Sequence, residues 1–334
     1  MEANLPLIWA GIILFGIMMY IIMDGFDLGI GILYPFFSDR HDRDVMMNTV
    51  APVWDGNETW LVLGGAGLLA AFPQAYSIIL SALYLPLIFM LMALIFRGVA
   101  FEFRFKARDH ERHFWDKAFI GGSMAATFFQ GVTLGAYIRG IPAVNGVYTG
   151  GALDWLTPFS LFTGVGLVVT YALLGSTWLV MKTGGELQAT CYRLSRLLGL
   201  VLLGIIAIIS LWTPWMDSRI AERWFGPDML VLLPIPLLVL FCFYQLQRSL
   251  ARKAEVWPFV FTLGLVFLGY VGLGVSVWPN IVPPAISIQA ASAPPQSQGF
   301  ALVGAVIIIP IILIYTAWGY YVFRGKVHAG EGYH

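Results

Sequence analysis

Charged side chains make up only 11% of the 334 residues. A water-soluble domain carries about a quarter, so this scarcity excludes an ordinary soluble protein. Cysteine is nearly missing. Cys191 and Cys242 stand alone with no C-x-x-C spacing, which excludes a disulfide framework and a thiolate metal site. Histidine is absent wherever the chain is apolar: His41, His110, His113, His328 and His334 all fall in connecting segments or the C-terminal tail. No imidazole therefore lies at depth to ligate a haem iron, and any redox cofactor should sit mainly on another subunit. Methionines such as Met18, Met19 and Met23 are read as packing. A net charge of zero gives no reason to expect a nucleic-acid partner.

What is present is apolar surface, at 59% of residues. Long apolar stretches run over about 7 to 37, 50 to 72, 77 to 103, 115 to 138, 158 to 181, 197 to 215, 229 to 247, 257 to 278 and 300 to 323. Each allows one membrane-crossing helix, so nine spans are expected. Lys and Arg concentrate in cytoplasmic loops, which provides an independent test of direction. With the N-terminus outside, fifteen of the 19 Lys and Arg fall in inner segments: Arg40 and Arg43, Arg104 to Lys117, Lys182 to Arg196, Arg248 to Lys253, Arg324 and Lys326. Outside lie Arg139, Arg219 and Arg223, and Arg97 falls within the third span. The start of the chain lacks a basic region and a cleavage site, so the first span is expected to be retained.

The second stretch reaches across a bilayer only by taking Asp55, Gly56, Asn57, Glu58 and Thr59 in with it. Leu61 to Phe72 supplies roughly 18 Å of helix against about 30 Å of hydrocarbon. A carboxylate there costs roughly 2.5 to 3.5 kcal/mol on insertion scales, so it calls for a partner, water or a proton. Asp24, Asp27, Asp55, Glu58, Arg97, Glu102 and Asp116 all lie in or beside the first four spans, and the orientation brings them to the cytoplasmic half. Several carboxylates facing one or two cations in a low dielectric cannot all be ionised, so they should share protons. The plainer alternative is that Arg97 neutralises one or two acids and locks the helices together. The charge distribution divides the chain into a first four-helix bundle with the polar network (1–138), a second bundle (139–278), and an outer loop, ninth helix and tail (279–334).

Three ordered runs carry a resemblance. They are Asp24-Gly25-Phe26-Asp27-Leu28-Gly29-Ile30-Gly31, Ala51-Pro52-Val53-Trp54-Asp55-Gly56-Asn57-Glu58-Thr59-Trp60, and Phe96-Arg97-Gly98-Val99-Ala100-Phe101-Glu102-Phe103-Arg104. With the closing Pro310 to Trp318, they resemble subunit II of the cytochrome bd ubiquinol oxidases over nearly the whole chain. The resemblance implies an all-α integral membrane protein of two four-helix bundles plus one helix, in a bacterial inner-membrane oxidase that oxidises ubiquinol and reduces oxygen to water. Haem b and haem d would be ligated by the partner, subunit I, in a pseudo-symmetric heterodimer. A structural ubiquinone, membrane lipids and a small single-helix subunit are further implied partners; no motif places a cofactor or metal on this chain. The short outer segments look like the cyanide-insensitive branch.

Asp27, Asp55, Arg97 and Asp116 match the family's polar network implicated in proton supply, with Glu58 and Asp24 as further candidates. The expectation is a haem-free subunit that stabilises its partner and carries protons through Asp55 and Asp27, with Arg97 and Asp116 setting their charge. A proton-coupled transporter and a purely structural assembly subunit are the alternatives, the first disfavoured because spans five to eight lack polar breaks.

Overall fold

Proline sets the start of most long helices in the computed structural model, which describes residues 4–108, 110–227 and 229–327. A first-turn proline loses no hydrogen bond and arrives with its φ already helical. Such prolines open α1 (Leu5–Leu33), α4 (Pro73–Lys106), α6 (Pro158–Lys182), α10 (Pro234–Ala251), α11 (Trp257–Val277) and α12 (Pro295–Val322). Helix α6 adds a capping box, Thr157 and Ser160 each satisfying the other's backbone N–H. Pro35 ends α1, and the chain tightens into the 3-10 turn Tyr34–Phe36. The remaining helices are α2 (Arg40–Asn48), α3 (Trp54–Ala71), α5 (Arg112–Arg139), α7 (Gly185–Met216), α8 (Ser218–Phe225) and the single turn α9 (Met229–Leu232).

All nine expected stretches fall on helices, and among the described residues seven helices are long and apolar enough to cross a membrane. The other two stretches are α3 and α5. Helix α3 has only 18 residues and opens on the polar run; α5 begins with Arg112, His113, Asp116 and Lys117. The short helices α2 and α8 were not anticipated, because neither carries an apolar run of span length. Residues 50 to 53, expected in the second span, form the turn before α3.

Packing centres on α6. Two thirds of its most apolar window is buried, 67%, while the corresponding window of α12 has no buried residue. Helix α1 crosses α6 where Gly29 meets Gly175, and a β-carbon on Gly29 would stand 2.0 Å from the Tyr171 carbonyl oxygen. That contact brings the Asp24–Asp27 turn of α1 into the interior. On its other side α5 abuts α4, where a β-carbon on Gly122 would meet the backbone N of Arg97 at 2.8 Å. The connections at one end form two hairpins, β1 (Ala143–Val144) with β2 (Val147–Tyr148) and β3 (Asn280–Val282) with β4 (Ile286–Ser287), both antiparallel. Ile141 donates to the Pro283 carbonyl at 2.6 Å and ties them together.

At the opposite end Lys326 meets Glu255 at 2.5 Å, and that ammonium, with the Gln188 amide, holds the Glu255 carboxyl below its usual range. We expect Gly29→Ala to wedge α1 from α6 at a cost of about 1–3 kcal/mol, read as a lower thermal midpoint of the purified complex. Gly11→Ala is the control, since nothing lies within 4 Å of its added carbon.

Candidate functional site: a buried arginine among three carboxylates

Arg97 is fully buried about three quarters of the way along α4. A guanidinium cannot shed its proton in a protein, so burying one demands anions beside it. Asp24 Oδ1 stands 3.0 Å from Arg97 Nη1, Asp27 Oδ2 3.7 Å from Nη2, and Glu58 contacts Nη1 as well. The two aspartates are as buried as the arginine, whereas the Glu58 side chain keeps 29% of its surface exposed. Trp54 lies over the guanidinium at 5.6 Å from ring centre, a cation–π contact, and stacks on Phe101.

Aspartates at i and i+3 on α1 share one face, and Gly31, one turn beyond Asp27 on that face, lets it approach α5 closely at Ser123. On α3 the buried stripe is Asn57, Trp60, Gly64, Gly67 and Ala71, the three- and four-residue spacing of a helix side. Asn57, at its head, donates from Nδ2 to Asp27 Oδ2 at 2.7 Å and to the Met23 carbonyl at 3.2 Å. Its Oδ1 accepts from the Tyr320 hydroxyl at 2.9 Å. Arg97 Nε, Asp27 Oδ1 and both Asp24 oxygens make no aligned hydrogen bond to protein. Such buried polar atoms are where water or a shared proton is accommodated.

Of the residues singled out from sequence, the structure brings Asp24, Asp27, Glu58 and Arg97 together. Asp55 does not join them. It lies exposed in the first turn of α3, on the side away from the buried stripe. Asp116 is also apart, paired with Arg104 at 2.5 Å and Arg43 at 2.9 Å. Arg104 in turn holds Asp44 at 2.6 Å, so this second network fastens α2 to α4 and α5. Glu102 is exposed. The convergence of all seven residues on one centre is thus corrected to one buried cluster and one separate ion-pair network.

Sequence reasoning missed Asn57, Tyr320 and Trp54 in the first, and Arg43, Arg104 and Asp44 in the second. The small-residue spacing after Asn57 was a readable signal that Asn57, and not Asp55, faces inward. Tyr320 had no local signal.

Among the described residues no group of three or more His, Cys, Asp or Glu is arranged to hold a metal ion. His41, His110 and His113 are exposed; His328 and His334 lie outside the described residues. The donors here do not fit a haem iron, and no step through one is assigned to this chain.

Fold and site together define a multi-pass, all-α membrane protein built round a buried arginine–carboxylate cluster. The profile of the family described as cytochrome bd terminal oxidase subunit II matches residues 5–323. The chain is 30% identical to the cytochrome bd-I ubiquinol oxidase subunit 2 of Escherichia coli strain K12, over 97% of this chain and 95% of the relative. It is 28% identical to the cytochrome bd ubiquinol oxidase subunit 2 of Bacillus subtilis strain 168, over 93% and 94% of the two chains. A chain of the bd oxidase structure from Geobacillus thermodenitrificans shares the fold, with a TM-score of 0.80 at 17% identity over 96% of this chain and 98% of that one.

The chain belongs to the cytochrome bd terminal oxidase subunit II family. It is a subunit of a quinol oxidase complex, with subunit I as its partner.

Removing Arg97 as Arg97→Gln would leave three acids without their cation, at a cost of about 3–5 kcal/mol. The expected result is little assembled complex on gel filtration, with partial recovery when Asp24→Asn is added. Arg104→Gln should be milder, because Asp116 keeps Arg43.

Proposed function

We propose that this chain is the haem-free subunit II of a bd-type oxidase, that it stabilises subunit I, and that it passes protons from the cytoplasm towards the site of oxygen reduction. The observation that carries the reading is the charge count of the buried cluster: three carboxyl groups face one fixed cation. Fully ionised, it would hold two surplus negative charges in a low-dielectric interior. Two protons taken up and shared among the three carboxyls bring it to neutrality.

The proposed path follows exposure. Asp55, exposed in the first turn of α3, collects protons at the mouth. Glu58, one turn further and the partly exposed acid of the cluster, passes them in, and Asp24 and Asp27 exchange them beside Arg97. Next to Asp27 in the chain, Phe26 stacks on Trp178 with centroids 4.2 Å apart, and Phe259 and Tyr320 meet both edge-on. Asp116 is reassigned to the network that fastens α2 in place.

Nine spans with the N-terminus outside belong to the same proposal, supported by the fifteen-to-three division of Lys and Arg. So does the division into two four-helix bundles and a final helix. Ubiquinol as donor is carried over from the names of the Escherichia coli and Bacillus subtilis relatives. A bacterial inner-membrane location, haems b and d on subunit I, a structural quinone and a small single-helix subunit complete it.

The test is quinol-driven oxygen consumption and proton uptake by the purified complex. Glu58→Gln should slow both by about tenfold or more, as loss of a proton-transfer group commonly does. Asp55→Asn should have a smaller effect that grows as pH rises and protons become scarce. Wild-type turnover per haem in both Glu58→Gln and Asp27→Asn would reduce the chain to a structural role.

A further inference from the structure

Helix α12 has no buried residue in its most apolar window, yet it reaches the buried cluster through one hydroxyl. Tyr320 donates to Asn57 Oδ1 at 2.9 Å. A carboxamide has an accepting end and a donating end, so whatever fixes one end fixes the other. With its oxygen held by Tyr320, Asn57 turns its NH2 to Asp27 Oδ2 at 2.7 Å and to the Met23 carbonyl at 3.2 Å. An NH2 group serves an ionised carboxylate. Turned over, the amide would present its oxygen to Asp27, which only the protonated acid could meet with a donor. It would also set that oxygen against the Met23 carbonyl. A phenol is a better donor than acceptor, so the Tyr320 hydroxyl favours the first orientation.

Tyr320 is itself held from below. Lys182, at the last turn of α6, donates from Nζ to the carbonyls of Phe323 at 2.5 Å and Gly325 at 3.1 Å. Val327 N returns a bond to the Lys182 carbonyl at 2.9 Å. The ammonium thus caps the carbonyl end of α12, the negative pole of that helix, one turn beyond Tyr320. It also lies 5.1 Å over the ring of Trp178, whose other neighbours include Tyr320 and Phe26. Nothing else in the oxidase reading employs Lys182, a lysine 6% exposed whose hydrogen-bond partners here are carbonyls.

We propose that Tyr320 and Lys182 are positioning residues for proton exchange at Asp27: Lys182 fixes the end of α12, Tyr320 then fixes the Asn57 amide, and the amide holds Asp27 in its ionised form between transfers. The inference rests on Asp27 exchanging protons. A proton reaching Asp27 arrives from the cluster and leaves the same way, and no bond within Asn57 or Tyr320 is broken. The titratable and charged groups facing Asp27 are Asp24 on its own helix, Glu58 on α3, Arg97 on α4 and Tyr320 on α12.

The experiment is infrared difference spectroscopy of the purified complex across pH, reading the carboxylic acid C=O band assigned to Asp27 by its loss in Asp27→Asn. Tyr320→Phe keeps the ring in its aromatic slot and removes only the hydroxyl. The band should then persist to a pH higher by about half to one unit, the equivalent of one net hydrogen bond. Lys182→Met should move it in the same direction, and Lys182→Arg, which retains a cap, should leave it near the wild-type position. A titrating band unmoved by Tyr320→Phe and Lys182→Met would overturn this inference alone. If no band assignable to Asp27 titrates at all, the proton-exchange reading falls with it.

Discussion

An arginine sealed inside a helical bundle organises this molecule. Its charge cannot be removed, so each neighbour of Arg97 answers to it. Two aspartates come from α1, a glutamate from α3, and the indole face of Trp54 covers what the acids leave open. A buried ion pair is weak evidence of stability, because the desolvation of both partners offsets much of their attraction. What it supplies here is specificity: α1, α3 and α4 have one relative placement in which the cation is met. Glycines make that placement reachable. The backbone of α5 approaches Arg97 at Gly122, and α1 lies against α6 at Gly29 and Gly175, where any side chain would intrude.

The same constraint separates two kinds of charge that look alike along the chain. Around Arg97 the acids outnumber the cation and several polar atoms lack aligned partners, a state suited to moving protons. Around Asp116 there is no such surplus: Arg43 and Arg104 share Asp116 and Asp44, with contacts of 2.5 to 2.9 Å. An ion-pair network of that kind fixes geometry and has no proton to spare. The surplus of carboxyl groups, and not the mere presence of acids in a span, distinguishes the two.

Much of the architecture was legible residue by residue. Apolar length gave the helices, and the motif runs from Asp24, Ala51 and Phe96 carried the family. Within the site, Asp24, Asp27 and Arg97 were legible because each interrupts an apolar stretch with a cost that needs an explanation. Asp55 misled for the same reason: its cost was counted without its direction. It sits two residues before Asn57, about 200° round the helix, and that half-turn puts one outside and the other against Asp27.

Composition and local pattern therefore determined that this chain lives in a membrane, is helical throughout its spans and carries acids that must be compensated, since those properties follow from transfer energies summed along a segment. Which acids share Arg97, which are drawn off to Arg43 and Arg104, and how Tyr320, 263 positions from Asn57, comes to orient its amide were decided only by the tertiary structure. Helix phase and long-range contact depend on how α1, α3, α4, α6 and α12 pack against one another. No window of neighbouring residues contains that information.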